Sequence, residues 1–281
     1  MRWWPLAVIL VACAQPLAPP PPPVFPTLVR GETYNTRISD LRSTLGRAGI
    51  KLRLAGQDVS IETDGCEIGN AAACSRCYLA GEMTPIDGAV IEAATRAFAT
   101  YPQDVLERAQ IAYVAVCRDL SYTDQDTERI GGLSDFRSHG LLIGVSYFLD
   151  RAYNSHGEIT VADIAHHELF HLLEHAQMLD DMKNDPEWLL QNPLGFEYAE
   201  SNSKENRRDG FVNPYAATAV HEDKASVYEM MMARSEVLCE LAKIDETIKI
   251  KARIIWRRVL RAAGTDSFIR TAAPCVDWLD F

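Results

Sequence analysis

The chain has 281 residues, of which 47% are hydrophobic and 24% are charged, so it has the size and composition of a globular protein with a full core. Its formal net charge of −11 gives no sign of the basic surface that a phosphate backbone requires and so disfavours binding to nucleic acid. We therefore expect no nucleic-acid partner and a solvated acidic surface.

Residues 1–12 have the pattern of an export signal, with a charged start and an apolar run that begins at Trp3. The run is too short for a membrane-spanning helix, which needs about 20 residues. The stretch Leu10–Cys13 resembles the lipobox of bacterial lipoproteins, and this resemblance implies that Cys13 is acylated and begins the mature chain. An ordinary secretory signal with an incidental cysteine is the alternative.

Residues 13–26 are rich in proline and include an unbroken run from Pro19 to Pro23. Such a run forms a stiff polyproline II rod without internal hydrogen bonds. It predicts a tether that holds a domain over residues 27–281 off a membrane surface, with the lipid on Cys13 as the anchor. A ligand for a proline-binding module is the alternative, which we disfavour outside the cytosol. We therefore expect the protein in a bacterial cell envelope.

The cysteines beyond Cys13 are even in number, as expected for disulfides in an exported protein. The spacing Cys74-x-x-Cys77 also fits half of a structural zinc site, but a second half-site is not evident. Many pairings are possible and the sequence does not choose among them. The cysteines are Cys66, Cys74, Cys77, Cys117, Cys239 and Cys275.

The sequence patterns in the first half of the domain predict both helices and strands. Residues 27–54 indicate a helix followed by a strand. The apolar spacing of Ile86–Tyr101 predicts a helix, and the branched and aromatic residues of Ile111–Cys117 predict a buried strand. The pair Gly131–Gly132 indicates a turn, and Gly140–Phe148 has the composition of a second strand.

The second half is dominated by helical patterns. Thr160 is a good N-cap, and the apolar pattern from Val161 to Leu179 predicts a helix. The polar stretch Asp180–Asn213 indicates a long surface loop with one short helix around Trp188, and Asp223–Ala263 has the composition of one or two long helices. The expected fold class is α+β, with a small mixed sheet packed on the helix at Val161–Leu179 and a helical C-terminal half.

Within that predicted helix, His167, Glu168 and His171 form the pattern His-Glu-x-x-His. Residues four apart share a helix face, so both imidazoles can bind one metal ion, and Glu168 can take a proton from water there. The pattern predicts one zinc ion and hydrolytic chemistry; two incidental histidines on a helix are the alternative. His166 points about 100° away and His175 lies about 6 Å further along the axis, so we expect both to have structural roles or to support the ligands without binding the metal.

A catalytic zinc site takes a third protein ligand. The segment Asn213–Ser226 contains Tyr-Ala-Ala-Thr, a short spacer and Glu-Asp at a predicted helix start. Here the chain resembles the lethal-factor-like branch of the gluzincin metallopeptidases and the bacterial zinc-binding metallopeptidases that share this pattern. The resemblance implies a zincin-like fold, Glu222 as the third zinc ligand and Tyr215 as a residue that assists the transition state. The alternative for Tyr215 is a structural role, in which its ring packs on the core from a loop.

The chain departs from this family in one place, because Ser226 stands where the family often has a second Glu, one turn after the first. Asp223 or Glu229 is the candidate replacement. Adjacent residues on a helix diverge by about 100°, so only one of His221 and Glu222 can face the metal. The residues that compete with Glu222 for the third ligand position are His221, Asp223, Glu197 and Asp181.

These patterns predict a zinc metallopeptidase that binds an extended peptide or protein substrate in a cleft between the sheet edge and the motif helix. Two other readings stay open. One is a non-catalytic zinc-containing lipoprotein that binds an envelope partner, and the other is a zinc amidase that acts on cell-wall crosslinks. Glu168 favours an enzyme, because a purely structural site does not need it. Substrate specificity and oligomeric state are not predicted.

Overall fold

The structure is a computed structural model. The predicted signal peptide, Cys13 and the tether lie outside the residues that it describes, as do Cys66, Cys74 and Cys275. Among the described residues, none of the helices is both long and apolar enough to span a membrane. The described residues are 32–53, 61–62, 75–78, 85–122, 130–151, 160–177, 184–204 and 207–273.

Helices and a small number of short strands make up the described part of the chain, which confirms the α+β class. The helices are α1 (Glu32–Arg47), α2 (Pro85–Ala99), α3 (Gln103–Arg108), α4 (Val145–Arg151), α5 (Val161–Gln177), α6 (Pro186–Leu189), α7 (Val220–Ala233), α8 (Ser235–Ile244), α9 (Glu246–Ala263) and α10 (Ser267–Ala272). The strands are β1 (Lys51–Arg53), β2 (Ile61–Glu62), β3 (Ser75–Tyr78), β4 (Tyr113–Cys117), β5 (Asp119–Tyr122), β6 (Gly132–Asp135) and β7 (Gly140–Gly144).

The main sheet has the strand order β1-β4-β7-β6. β1, β4 and β7 are parallel, and β6 is antiparallel to β7, so the sheet is mixed as predicted. Alternate residues of β4 face opposite sides: Val114 and Val116 join the large core with α2, α5 and α7, while Tyr113 and Ala115 join a smaller apolar cluster. A second, antiparallel sheet of order β2-β3-β5 was not predicted.

Helix α5 lies at the centre of the fold, in contact with β6 and β7 on the sheet and with α2 and α7 on the helical side. Leu169, Phe170 and Leu173 are fully buried. Burial on several sides explains why apolar residues occur on more than one face of this helix. The motif residues therefore lie on a helix that is packed against the sheet on one side and against other helices on the other.

The predicted strand Gly140–Phe148 is only half correct. β7 ends at Gly144, and α4 begins at Val145. A Cβ atom at Gly144 would overlap the carbonyl oxygen of Ile130, so the chain passes this point without a side chain and then turns. The amide of Ser146 donates a 2.9 Å hydrogen bond to the carbonyl of Arg118, which secures the turn. Tertiary packing here overrides the strand propensity of valine and the aromatics.

The prediction that Gly131–Gly132 forms a turn is wrong, because Gly132 begins strand β6. A Cβ atom at either glycine would meet the side chain of Ile164 on α5, and one at Gly132 would also lie 2.7 Å from Cγ of Glu168. The two glycines therefore allow β6 to approach the motif helix closely.

The stretch Asp180–Asn213 is not simply a polar surface loop. It contains the predicted short helix α6 around Trp188 and a 3-10 helix at Glu200–Lys204. Trp188 and Phe211 are fully buried. The described part of this segment is therefore anchored in the core at two aromatic residues.

The C-terminal half contains more helices than predicted. In place of one or two long helices over Asp223–Ala263 it has α7, α8 and α9, and α10 follows them. Helix α7 begins at Val220, so Glu222 and Asp223 lie in its first turn, as the predicted helix start implied. Arg234 separates α7 from α8, and Asp245 separates α8 from α9. Asp245 caps α9 by accepting hydrogen bonds from the amides of Thr247 and Ile248. Helix propensity alone did not indicate these breaks.

Candidate metal centre

The start of α5 is fixed by a reciprocal capping arrangement. The amide of Asp163 donates to Oγ1 of Thr160 at 3.2 Å, and the amide of Thr160 donates to Oδ2 of Asp163 at 2.6 Å. Both contacts satisfy backbone groups that the first turn leaves without intrahelical partners. The predicted N-cap is therefore correct, and the motif begins at His167, about two turns later.

His167, His171 and Glu222 are brought together by the packing of α5 against α7. Nε2 of His167 lies 3.2 Å from Nε2 of His171 and 2.9 Å from Oε2 of Glu222. Nε2 of His171 lies 3.5 Å from the same carboxylate oxygen. Among the described residues, no other group of three or more His, Cys, Asp or Glu side chains could hold a metal ion.

The donor set and its spacing fit a zinc ion. Two imidazole nitrogens and one carboxylate oxygen are a common ligand set of catalytic zinc. A tetrahedral site with bonds of about 2.1 Å places its ligand atoms about 3.4 Å apart. The three separations here are 2.9, 3.2 and 3.5 Å, so a small adjustment of the side chains would place all three atoms at bonding distance.

The electrostatics of the three side chains also favour a cation. Burial would raise the pKa of Glu222, but hydrogen bonds from the three neighbouring histidines hold it well below its ordinary value. Burial lowers the pKa of His171 to about 4, so this ring is neutral. Burial also acts to lower the pKa of His167, yet Glu222 and Glu229 raise it well above its ordinary value. The low pKa of Glu222 means that its carboxylate is ionised beside the neutral ring of His171, so it attracts positive charge to the place where the three ligand atoms meet.

Glu168 lies beside this group, between α5 and β6. Oγ of Ser134 on β6 lies 2.8 Å from Oε2 of Glu168 and 2.8 Å from its backbone oxygen. Burial raises the pKa of Glu168 to about 7, while the nearby His167 and the Ser134 hydroxyl act to lower it. A carboxylate with a pKa near neutrality can both accept and return a proton. Ser134 was not identified from the sequence, because its position depends on the pairing of β6 with β7.

Of the two residues predicted to supply a second carboxylate, Glu229 is the one that contacts a predicted ligand. Its Oε2 lies 3.0 Å from Nδ1 of His167, so the Nδ1–H group can donate to it while Nε2 faces Glu222 and His171. Asp223, the other candidate, faces away from the metal ligands. Ser226, at the family position, is fully buried.

The competing residues do not join the three ligand atoms. His221 is adjacent, with its Nε2 3.3 Å from Oε1 of Glu222, and so contacts the oxygen that points away from the histidine pair. Glu197 is exposed. Asp223 is bound to Trp188, Tyr198 and Lys251, and Asp181 lies outside the described residues.

Tyr215 lies at the start of a 3-10 turn (Tyr215–Ala217) that leads into α7. Its ring centroid is 5.9 Å from that of His167, and 47% of the residue is exposed. The turn is held by a 2.7 Å hydrogen bond from the amide of Ala216 to the side chain of Asn213. Tyr215 therefore borders the ligand group and is open to solvent, which fits a residue that contacts a substrate better than a core aromatic.

His166 and His175 are separate from the ligand group, as predicted. Nδ1 of His166 lies 2.6 Å from Oη of Tyr101, which in turn accepts a 3.1 Å hydrogen bond from Tyr228, so His166 belongs to a buried polar network. The ring of His175 packs on Phe136 with a centroid distance of 4.9 Å.

The first turn of α7 is anchored on three sides by consecutive residues. Glu222 faces the histidines, Asp223 accepts a 2.7 Å hydrogen bond from Lys251 on α9, and Lys224 forms a buried ion pair with Glu174 on α5. Adjacent residues on a helix diverge by about 100°, so three such contacts fix both its position and its rotation. The third proposed ligand thus sits on a rigid element.

Cys117 and Cys239 are both disulfide-bonded in the structure. Their partners, and the pairing of the other predicted cysteines, are not established by the described residues.

The comparisons with known proteins support the fold. No protein-family model matches the sequence, and a search of curated proteins gives no significant match. A crystal structure of a proposed zinc-binding metallo-peptidase from Bacteroides caccae is similar, with a TM-score of 0.50 and 12% sequence identity. The match covers 90% of this chain and 95% of the other. At this identity the likeness shows a shared fold and not a shared activity.

Proposed function

We propose that this protein is a zinc metallopeptidase that hydrolyses peptide bonds. The observation that carries the proposal is the convergence of His167, His171 and Glu222 on one point, with the carboxylate of Glu168 beside it. The similar Bacteroides caccae structure supports the same reading at the level of fold.

The proposed chemistry assigns a role to each residue. His167, His171 and Glu222 would hold one zinc ion, which when bound polarises a carbonyl and lowers the pKa of water. Glu168 accepts a proton from the attacking water at its carboxylate and delivers it to the leaving amine. Tyr215, exposed at the border of the site, donates a hydrogen bond to the oxygen that gains negative charge.

Strand β6 supplies the binding surface for an extended peptide. It is the last strand in the order β1-β4-β7-β6 and lies against Glu168 through Gly132. A peptide that adds to the outer side of β6 as a further strand would pass next to Glu168 and the three ligands. We also propose that the protein is exported and held at a membrane of the cell envelope by the lipid on Cys13.

Metal analysis and cleavage of a diverse peptide library test this function. The purified protein should bind one zinc ion, cleave peptides, and lose cleavage on treatment with a chelator until zinc is restored. Glu168→Gln should retain the zinc and lose cleavage, because an amide cannot accept the proton. Zinc binding without cleavage of any peptide would support the non-catalytic or cell-wall amidase reading, and no zinc binding would reject the metal site itself.

A further inference from the structure

Arg234 connects the ligand helix α7 to the start of the motif helix α5. It follows the last residue of α7, with a backbone conformation outside the helical region. Its Nε and Nη2 atoms donate hydrogen bonds of 2.9 and 2.7 Å to the two carboxylate oxygens of Asp163. Asp163 is fully buried, and this two-point contact has the geometry of a strong guanidinium–carboxylate pair.

Asp163 lies one helical turn before His167, so the two residues share a face of α5. It also caps the helix through Thr160. Arg234 therefore binds α5 at its capped N-terminal turn, one turn before the first histidine of the motif.

Arg234 also faces the carboxylate that orients His167. Its Nη2 lies 3.8 Å from Oε1 of Glu229, while Oε2 of Glu229 lies 3.0 Å from Nδ1 of His167. The guanidinium thus stands between two buried carboxylates, those of Asp163 and Glu229. Without its charge, the two anions would face each other in a poorly solvated region, which is unfavourable for both.

We propose that Arg234 is a positioning residue for the zinc site. It holds Glu229 so that Oε2 receives the Nδ1–H of His167, and this contact turns Nε2 of His167 toward His171 and Glu222. The proposal rests on the proposed zinc site, which it deepens.

Zinc affinity, measured by competition with a chromogenic chelator, tests the proposal. Arg234→Met should weaken zinc binding about tenfold, the lower end of the range for residues that support a ligand. Arg234→Lys keeps the charge and should recover part of that loss. The matched control is Arg96→Met, which removes an arginine from an exposed ion pair with Glu92 on α2 and should leave zinc affinity unchanged.

A second measurement separates positioning from stability. In metal-free protein, the His167 Nδ1–H proton should give a downfield NMR signal that exchanges slowly with solvent, assigned by its absence in His167→Gln. Arg234→Met should shift this signal and accelerate its exchange, while Arg96→Met should not. The proposal would be overturned if Arg234→Met lost unfolding free energy but kept the NMR signal and the zinc affinity of the wild-type protein. If the wild-type protein binds no zinc, the proposed function fails, and the NMR signal alone decides the role of Arg234.

Discussion

Lys251 on α9 donates a 2.7 Å hydrogen bond to Asp223, the residue that follows the third proposed zinc ligand, and both side chains are fully buried. Asp223 also accepts hydrogen bonds of 2.8 Å from Trp188 and Tyr198. A second bond from Lys251 reaches the carbonyl of Gly210 at 2.9 Å. One buried ion pair therefore ties the ligand helix to α9 and to both ends of the segment that follows the motif helix.

Replacing Lys251 should destabilise the protein strongly. Lys251→Met leaves Asp223 buried without its counter-ion, and breaking such a pair costs about 3–5 kcal/mol of unfolding free energy. Lys249→Met is the matched control on the same helix, because its ion pair with Glu246 is partly exposed, and it should change stability by about 0.5 kcal/mol or less. Denaturant unfolding measures both, and equal losses would show that the Lys251 pair contributes little.

Gly132→Ala should impair hydrolysis more than zinc binding. The added Cβ would overlap Ile164 and lie 2.8 Å from Oε1 of Glu168, so either β6 or the Glu168 side chain must move. We expect a loss of kcat/KM of about tenfold or more, since small misplacements of a catalytic group are costly. The three atoms nearest to the added Cβ belong to Ile164 and Glu168 and not to the proposed ligands, so zinc affinity should be retained. Gly46→Ala on α1, where a Cβ meets nothing within 4 Å, is the control; equal activity in the two variants would contradict the model of the site.

The approach of His167 to His171 was predictable from the sequence because its signal is local. His167 and His171 are one turn apart on a helix with a recognisable start, and Glu222 was assigned through the resemblance at Tyr215–Ser226. The structure brings these three side chains together. A short spacing pattern suffices where a single helix positions the residues.

The residues that support the ligands were not predictable in the same way. Ser134 and Arg234 make their contacts across β6, α5 and α7, and no sequence spacing encodes how these elements cross. Glu229 and Asp223 were both candidates from the sequence, and only the packing of α7 on α5 decides between them. The segment from Asp180 to Asn213 looked like a polar loop, because the buried partners of its aromatic residues lie on α7 and α9. Composition and periodicity indicate single helices and strands, but they do not indicate which distant elements pack against each other.

Ser134→Ala should shift the pH dependence of hydrolysis. The Ser134 hydroxyl acts to lower the pKa of Glu168, which burial raises to about 7. Its removal raises that pKa further, and a general base must be unprotonated to act, so the acid limb of kcat/KM should move to higher pH while the high-pH plateau changes little. Both proteins are compared with zinc bound, so the effect of the ion is common to both. Ser203→Ala, at an exposed serine bonded to the carbonyl of Glu200, should leave the profile unmoved.

Cys13→Ala tests the proposed tether. The several acyl chains of a lipoprotein cysteine anchor firmly, whereas a single chain anchors only marginally. In the native host, the variant should therefore leave the membrane fraction and retain zinc-dependent activity in the soluble fraction. A variant that stays in the membrane fraction would place the attachment elsewhere in the chain.

The third-ligand assignment is tested by comparing three adjacent residues on α7. Glu222→Ala removes the oxygen that lies 2.9 Å from Nε2 of His167, so zinc affinity should fall far more than in the other variants. His221→Ala removes a contact to the opposite oxygen of Glu222 and should weaken binding about 10–100-fold. Asp223→Ala should chiefly lower the free energy of unfolding, because this carboxylate binds Lys251 and Trp188 and faces away from the histidines. Chelator competition and denaturant unfolding separate the two effects. A larger loss of zinc affinity in His221→Ala than in Glu222→Ala would transfer the third position to the histidine and remove the main support for the resemblance to the lethal-factor-like gluzincins.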